Sequence, residues 1–144
     1  MVGTSGDTEP EVPMQSFYAS LEKWRPYILS LVRIVAALLF LEHGLQHYFG
    51  FPSAGPEMTT LLYVQGALEV VGGLLLLVGA YTRPVAFILS GDMAAAYFIA
   101  HFPRSFFPAL NGGDAAVLFC FIFLYILFAG GGPWSVDRAV LKQD

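Results

Sequence analysis

His43 and His47 lie four residues apart in the stretch Arg33 to Gly50, RIVAALLFLEHGLQHYFG. That spacing puts both imidazoles on one face of a helix. Imidazole changes charge near neutral pH, so such a face can pass protons. With further ligands it can also hold zinc or copper. A third ligand, His101, has to come from another helix, and Met93 and Cys120 are scattered, so the metal reading is the weaker one and no metal is assigned. Haem would need two axial ligands held face to face, and nothing in the sequence fixes that geometry. Glu42 and Gln46 lie to the side of the histidine face and are weaker candidates, explained by another helix, a partner or interfacial water.

A second ionisable group stands in a more apolar setting. Glu69 interrupts GALEVVGGLLLLVG. A carboxyl at that depth is costly in hydrocarbon unless it is paired, wetted or functional. Its chemistry suits a proton carrier, with His43 as the group that exchanges the proton. Glu69 and His43 are therefore the candidate catalytic pair, with His47, His101 and Gln65 as candidate ligand-binding neighbours. The plainer alternative is that these groups hydrogen-bond one another and hold water at headgroup level; it suits His47 and His101 best, since both are near an interface.

These side chains need apolar helices to position them, and the composition supplies them. The 144 residues are 56% hydrophobic and only 12% charged. Soluble domains carry about 25% charged residues, so the chain reads as a single membrane domain. There is no Lys/Arg cluster of the kind nucleic acid requires. Cys120 is the only cysteine, which excludes an internal disulfide.

Residues 1–13 are polar and acidic, read as a disordered tail, and lack the basic start of a signal peptide. In residues 14–25, Met14, Phe17, Tyr18, Leu21 and Trp24 recur at helical spacing, which predicts an amphipathic helix lying at the membrane surface. Residues 26–132 read as the transmembrane domain. Its apolar stretches, at about 27–48, 60–81, 84–102 and 113–131, each match the ~20 residues needed to cross a bilayer. Gly/Pro-rich links between them are short, which predicts an all-α, antiparallel, up-down bundle of four transmembrane helices with short interfacial helices at both ends. Residues 133–144 form a short cytoplasmic segment.

Lys23, Arg25, Arg83, Arg138 and Lys142 fall on one side of this topology and Arg104 on the other. The positive-inside rule then puts both termini in the cytoplasm. At ~1.5 Å per residue, Arg33 and Asp92 come to a similar inner depth, which predicts an ion pair between the first and third helices. The functional alternative there is a gate or proton path. Arg33, Ala36, Ala37, Phe40, His43, Gly44 and His47 share a face, as do Gln65, Glu69 and Gly72. On the third helix Asp92, Ala95, Ala96 and Ile99 share a face, with His101 nearly opposite. Asp114 is placed to cap the fourth helix, and Ser135 a short C-terminal one. The abundant aromatics read as lipid-facing or interfacial, and those around Tyr48, Phe102 and Phe107 crowd the outer end, where an aromatic belt is the first reading and an opening for an apolar ring such as a quinone the second.

Taken together, Arg33-Ile34 with Gly44, the segment GALEVVGGLLLLVGAYTRP, Asp92-Met93, Asn111-Gly112-Gly113-Asp114 and the closing GGGPWSVDR resemble the DoxX family of small bacterial membrane proteins. The resemblance spans about residues 30–138. Family members often carry Lys where this chain has Gln46-His47, and Glu where it has Asp114. The resemblance implies a four-helix subunit of the bacterial inner membrane, linked to a quinone-dependent oxidoreductase complex through protein partners. No flavin, iron–sulfur or haem motif is visible, so electrons would be carried by a partner. A quinone is the candidate ligand, and no bound cofactor is assigned. The non-enzymatic alternative is a structural or assembly subunit; a small transporter or proton-conducting bundle is a third.

Overall fold

The structure is a computed structural model and describes residues 13–142. The tail expected over residues 1–13 lies outside the described residues except for Pro13. Among the described residues the chain is helical, without strands: α1 Pro13–Phe49, α2 Thr60–Val78, α3 Thr82–Ala96 continued by a π turn Tyr97–His101, α4 Pro108–Asn111, α5 Asp114–Ala129 and α6 Val136–Ala139.

Three of these helices are long and apolar enough to cross a membrane, namely Met14–Phe49, Thr60–Val78 and Thr82–His101. The apolar α5 has 16 residues, fewer than the segment 113–131 expected from the sequence. It stops where Gly130 takes φ 84°, a conformation that favours glycine. Residues 14–25 do not form a separate surface helix. They are the first turns of α1, which runs unbroken through Pro26 for 37 residues. At 1.5 Å per residue α1 is ~55 Å long, well beyond the thickness of a ~30 Å hydrocarbon layer.

The helices meet through small residues. A Cβ added at Gly44 would lie 2.7 Å from Val70 Cγ2 and 3.0 Å from the Val70 nitrogen, so α1 and α2 approach at backbone distance. Such contacts suit a bilayer, where burying apolar surface between helices brings no hydrophobic gain and close packing has to supply the attraction. The core between helices is built from Ala36, Ala37, Phe40, Leu76, Ala86, Leu89, Met93, Phe123 and Ile126. Phe40 bridges α1 to α5, its ring 5.0 Å from that of Phe123 and 5.6 Å from that of Phe119. Outside, large apolar side chains such as Leu38, Leu74, Phe87, Leu118 and Phe121 are exposed along every long helix, as lipid contact requires.

The pairing of Arg33 with Asp92 expected from depth does not occur. Arg33 is completely buried, and its guanidinium donates instead to backbone carbonyls. Nε reaches Gly131 O at 2.9 Å, Nη2 reaches Trp134 O at 2.5 Å, and Nη1 reaches Leu77 O at 2.8 Å as well as Leu76 O. The physical reason is that the last carbonyls of a helix have no intrahelical donor and carry partial negative charge. The C-terminal turn of α2 and the Gly-rich turn after α5 present several such groups together. Arg83 does the same for α5, with Nη1 2.8 Å from both Leu127 O and Phe128 O.

The C-terminal segment closes this end. Ser135 caps α6 by accepting from Arg138 N–H at 3.3 Å. Asp137 N–H donates to Gly79 O at 2.9 Å, while its carboxylate accepts from the N–H groups of Tyr81 and Thr82, both at 2.7 Å. Tyr81 has φ 50° and no cap of its own, so Asp137 caps α3 from elsewhere in the chain. Gly79, at φ 70°, has no room for a side chain: an added Cβ would stand 2.5 Å from Ser135 Cβ.

Candidate functional site

At the opposite end of the helices from Arg33 lies a cavity of about 240 Å³. Phe40, His43 and His47 line it from α1, Gln65 and Glu69 from α2, and Met93, Ala96 and His101 from α3 with its π turn. Gly112, Ala115, Ala116 and Phe119 complete the wall from the segment entering α5. All five side chains expected from the sequence to form the site, Glu69, His43, His47, His101 and Gln65, therefore border one space.

Glu69 is almost wholly buried, with 3% of its side chain exposed. Gln65, one turn earlier on α2, donates from Nε2 to Oε1 at 3.2 Å. The other oxygen, Oε2, lies 3.5 Å from His47 Nε2 and has no hydrogen-bond partner. This approach is an ion pair when the imidazole is protonated and a neutral contact otherwise. His47 Nδ1 is likewise buried and unpartnered. Buried polar atoms are rarely left so, and these two are open to a hydrogen-bonding partner.

The imidazole beside Glu69 is thus that of His47, not the His43 expected to exchange its proton. Gly44 and Gly66 decide this, because α1 and α2 touch at both points. A Cβ at Gly44 would meet Glu69 Cβ at 3.0 Å, and one at Gly66 would meet His47 Cβ at 3.3 Å. Glu69 is held next to Gly44, and the histidine one turn further along α1 leans onto it. His43 is exposed at the cavity's edge, its Nδ1 2.9 Å from Leu39 O. A carbonyl only accepts, so Nδ1 carries the hydrogen and Nε2 is the free acceptor of the neutral ring. Its ring meets Phe119 edge-on at 6.1 Å.

His101 joins the site through a change of helical pitch. On a regular α-helix it would face away from Ala96. The Phe102 N–H bonds to Tyr97 O, five residues back, at 2.8 Å. This wider turn brings residues five apart close to one face and turns His101 toward Ala96 and Met93. His101 Nδ1 lies 3.1 Å from Asn111 O, and its ring stacks on Tyr97. Ala95 and Ile99, expected to share the inner face with Asp92, are exposed; the buried face is that of Leu89 and Met93.

Asp92 is half-buried, with Oδ2 unpartnered, and close enough to Glu69 for their charges to interact. Its electrostatic neighbour is therefore the carboxyl of the site and not Arg33. Asp114 does not cap α5. The capping position is Gly113, and Asp114 is exposed in the first turn, where its charge suits the helix dipole. The nearby side chain that organises the backbone is Asn111, buried at 3% exposure. Its Oδ1 accepts Gly113 N–H and its Nδ2 donates to Ser105 O, both at 2.7 Å. Asn111, Met93 and Phe119 are site neighbours beyond those expected from the sequence. Helical spacing from Ala115 and Ala116 to Phe119 was the available signal for the last. Glu42 is exposed, and Gln46 donates to Ser53 Oγ at 3.0 Å outside the cavity. Among the described residues no three His, Cys, Asp or Glu side chains gather as metal ligands.

Comparison with known proteins places this geometry in context. The family model described as DoxX matches residues 28–102. An uncharacterized protein of Haemophilus influenzae is 42% identical over 132 residues, covering 86% of this chain and 98% of that protein. An uncharacterized membrane protein of Mycobacterium tuberculosis is 29% identical over 134 residues, covering 78% of this chain and 80% of that protein. No solved structure matches the chain.

Proposed function

The chain belongs to the DoxX family, and on that premise we propose that its cavity binds the head of a quinone or quinol and exchanges protons with it. The observation that carries this reading is the contact between His47 Nε2 and Glu69 Oε2, buried at 3.5 Å on the wall of that cavity. A carboxyl and an imidazole with unpartnered atoms can donate to a quinone oxygen or accept from a quinol hydroxyl. His43 and His101, each with Nδ1 held by a carbonyl, retain Nε2 for hydrogen bonding. In the reaction read here, quinol gives two protons to these side chains or to water they hold. Its two electrons pass to a flavin, haem or iron–sulfur carrier in a partner subunit. The chain itself acts as the proton-handling and binding subunit.

In this account four helices, α1, α2, α3 and α5, form an up-down transmembrane bundle in the bacterial inner membrane. Both termini face the cytoplasm, supported by the basic residues Lys23, Arg25, Arg83, Arg138 and Lys142 at one end. Glu69→Gln should abolish quinone-coupled turnover in membranes while insertion is retained; unchanged turnover would remove the proton role.

A second reading, a non-enzymatic subunit that docks onto a larger complex, is favoured by one feature. Met14, Phe17, Tyr18, Leu21 and Trp24 are all at least half exposed on the N-terminal turns of α1. Purification in mild detergent separates the two. A stable complex with a cofactor-bearing partner and no quinone binding by the isolated chain favours docking alone; quinone binding by the isolated chain favours the first reading.

A further inference from the structure

The polar cavity opens beside a second space of opposite character. A groove of about 530 Å³ runs between α1 and α5 with only apolar side chains on its walls. Val35 and Leu39 stand on one side, Leu118 and Ile122 on the other. Ala115 and Phe119 border both the groove and the polar cavity. Phe119 is the partition, with the His43 imidazole against its edge.

We propose that the ligand is a prenyl-tailed quinone whose head occupies the polar cavity and whose tail lies in this groove. The proposal rests on the quinone reading above and specifies where the rest of the molecule goes. At about 240 Å³ the polar cavity falls below the ~300–1,000 Å³ of sites that enclose a drug-sized ligand. It takes a compact head and leaves no volume for a chain. The unpartnered, buried Glu69 Oε2 gives the head a reason to enter. From Leu39 to Leu31 the groove follows α1 for ~12 Å, away from the histidines.

The occupant follows from the solvent. A free lipid chain gains little by leaving other lipid chains for an equally apolar groove. A chain tethered to a head already bound is held there at high effective concentration. The groove therefore selects a tail that arrives with a head.

The test uses purified full-length protein in lipid nanodiscs, with concentrations expressed as mole fraction in the bilayer so that partitioning cancels. A fully prenylated quinone is compared with the tailless quinone of the same head. The groove is filled from its exposed walls by Leu39→Trp or Leu118→Trp, and helical content is checked by circular dichroism. The wild type should bind the tailed quinone about tenfold more tightly, equivalent to ~1.4 kcal/mol. Either tryptophan should erase that preference and leave the tailless affinity unchanged. Equal affinities in the wild type, or a preference that survives both tryptophans, overturns the tail site; ordinary bilayer chains filling the groove would give that result. If neither quinone binds the wild type, the head-group reading itself fails, a different outcome from loss of the tail preference alone.

Discussion

The carboxylate of Asp137 accepts hydrogen bonds from the backbone N–H groups of both Tyr81 and Thr82, each at 2.7 Å. A residue near the end of the described chain thus fixes the start of a helix 55 positions earlier. Removal of a helix cap costs about 0.5–2 kcal/mol. Asp137→Ala is expected to lower the thermal midpoint in detergent accordingly, and Asp137→Asn, which keeps one acceptor, to lower it less. Equal midpoints for wild type and Asp137→Ala would show that α6 does not hold α3.

Arg33 tests how this end of the protein is held. Arg33→Met leaves the carbonyls of Leu77 and Trp134 without their side-chain donor and that of Gly131 with Ser30 Oγ alone. An unsatisfied buried polar group costs about 1–3 kcal/mol, so the variant should lose on the order of that or fail to accumulate. Arg33→Lys should fall between, since an ammonium cannot spread its donors as a guanidinium does. Asp92→Asn should leave stability close to wild type. If Asp92→Asn proves as damaging as Arg33→Met, an ion pair joins the two residues after all.

Gly44 sets the distance between α1 and α2. Gly44→Ala has to displace Val70 Cγ2 and compress against both Glu69 Cβ and the Val70 nitrogen, and a measurable loss is expected. Gly44→Leu overpacks the contact and should cost about 1–3 kcal/mol. It should also separate Glu69 from His47. Unfolding in graded denaturant measures the first effect, and quinone binding measures the second; a Leu variant that matches wild type in both contradicts the close packing.

Which parts of this arrangement were legible in the sequence follows from what each contact is made of. The face of Ala36, Ala37, Phe40 and Gly44 is visible in the sequence because side chains repeat with the helix. The gathering of His43, His47, Gln65 and Glu69 near one depth is visible because rise per residue converts position into height. The partners of Arg33 are not legible because they are carbonyls, and every residue has one; nothing in the letters Leu77 or Gly131 marks an acceptor left open by a helix end. The direction of His101 is not legible because one wide turn at Tyr97 changes the phase of everything after it. The helical wheel puts His43 and His47 on one face, and only the glycine contacts decide which of the two meets Glu69.

Orientation can be measured without any ligand. With Cys120→Ala as background, single cysteines at Lys23, Arg104 and Lys142 report which side each position occupies. A membrane-impermeant maleimide should label Arg104→Cys from the outside of intact cells. Lys23→Cys and Lys142→Cys should react only after the membrane is opened. Labelling of all three from outside, or the reverse pattern, would contradict cytoplasmic termini.

The central claim is that Glu69 exchanges a proton with the bound head. Infrared difference spectroscopy, recorded as quinone is converted to quinol in nanodiscs holding the protein, observes that proton directly. A protonated carboxyl gives a C=O band distinct from that of a carboxylate, and a band change should accompany conversion in the wild type. Glu69→Gln should abolish it, while Asp92→Asn should shift it without removing it, because the two carboxyls interact. A wild type that binds quinone with no carboxyl change, or a change that persists in Glu69→Gln, would contradict the account.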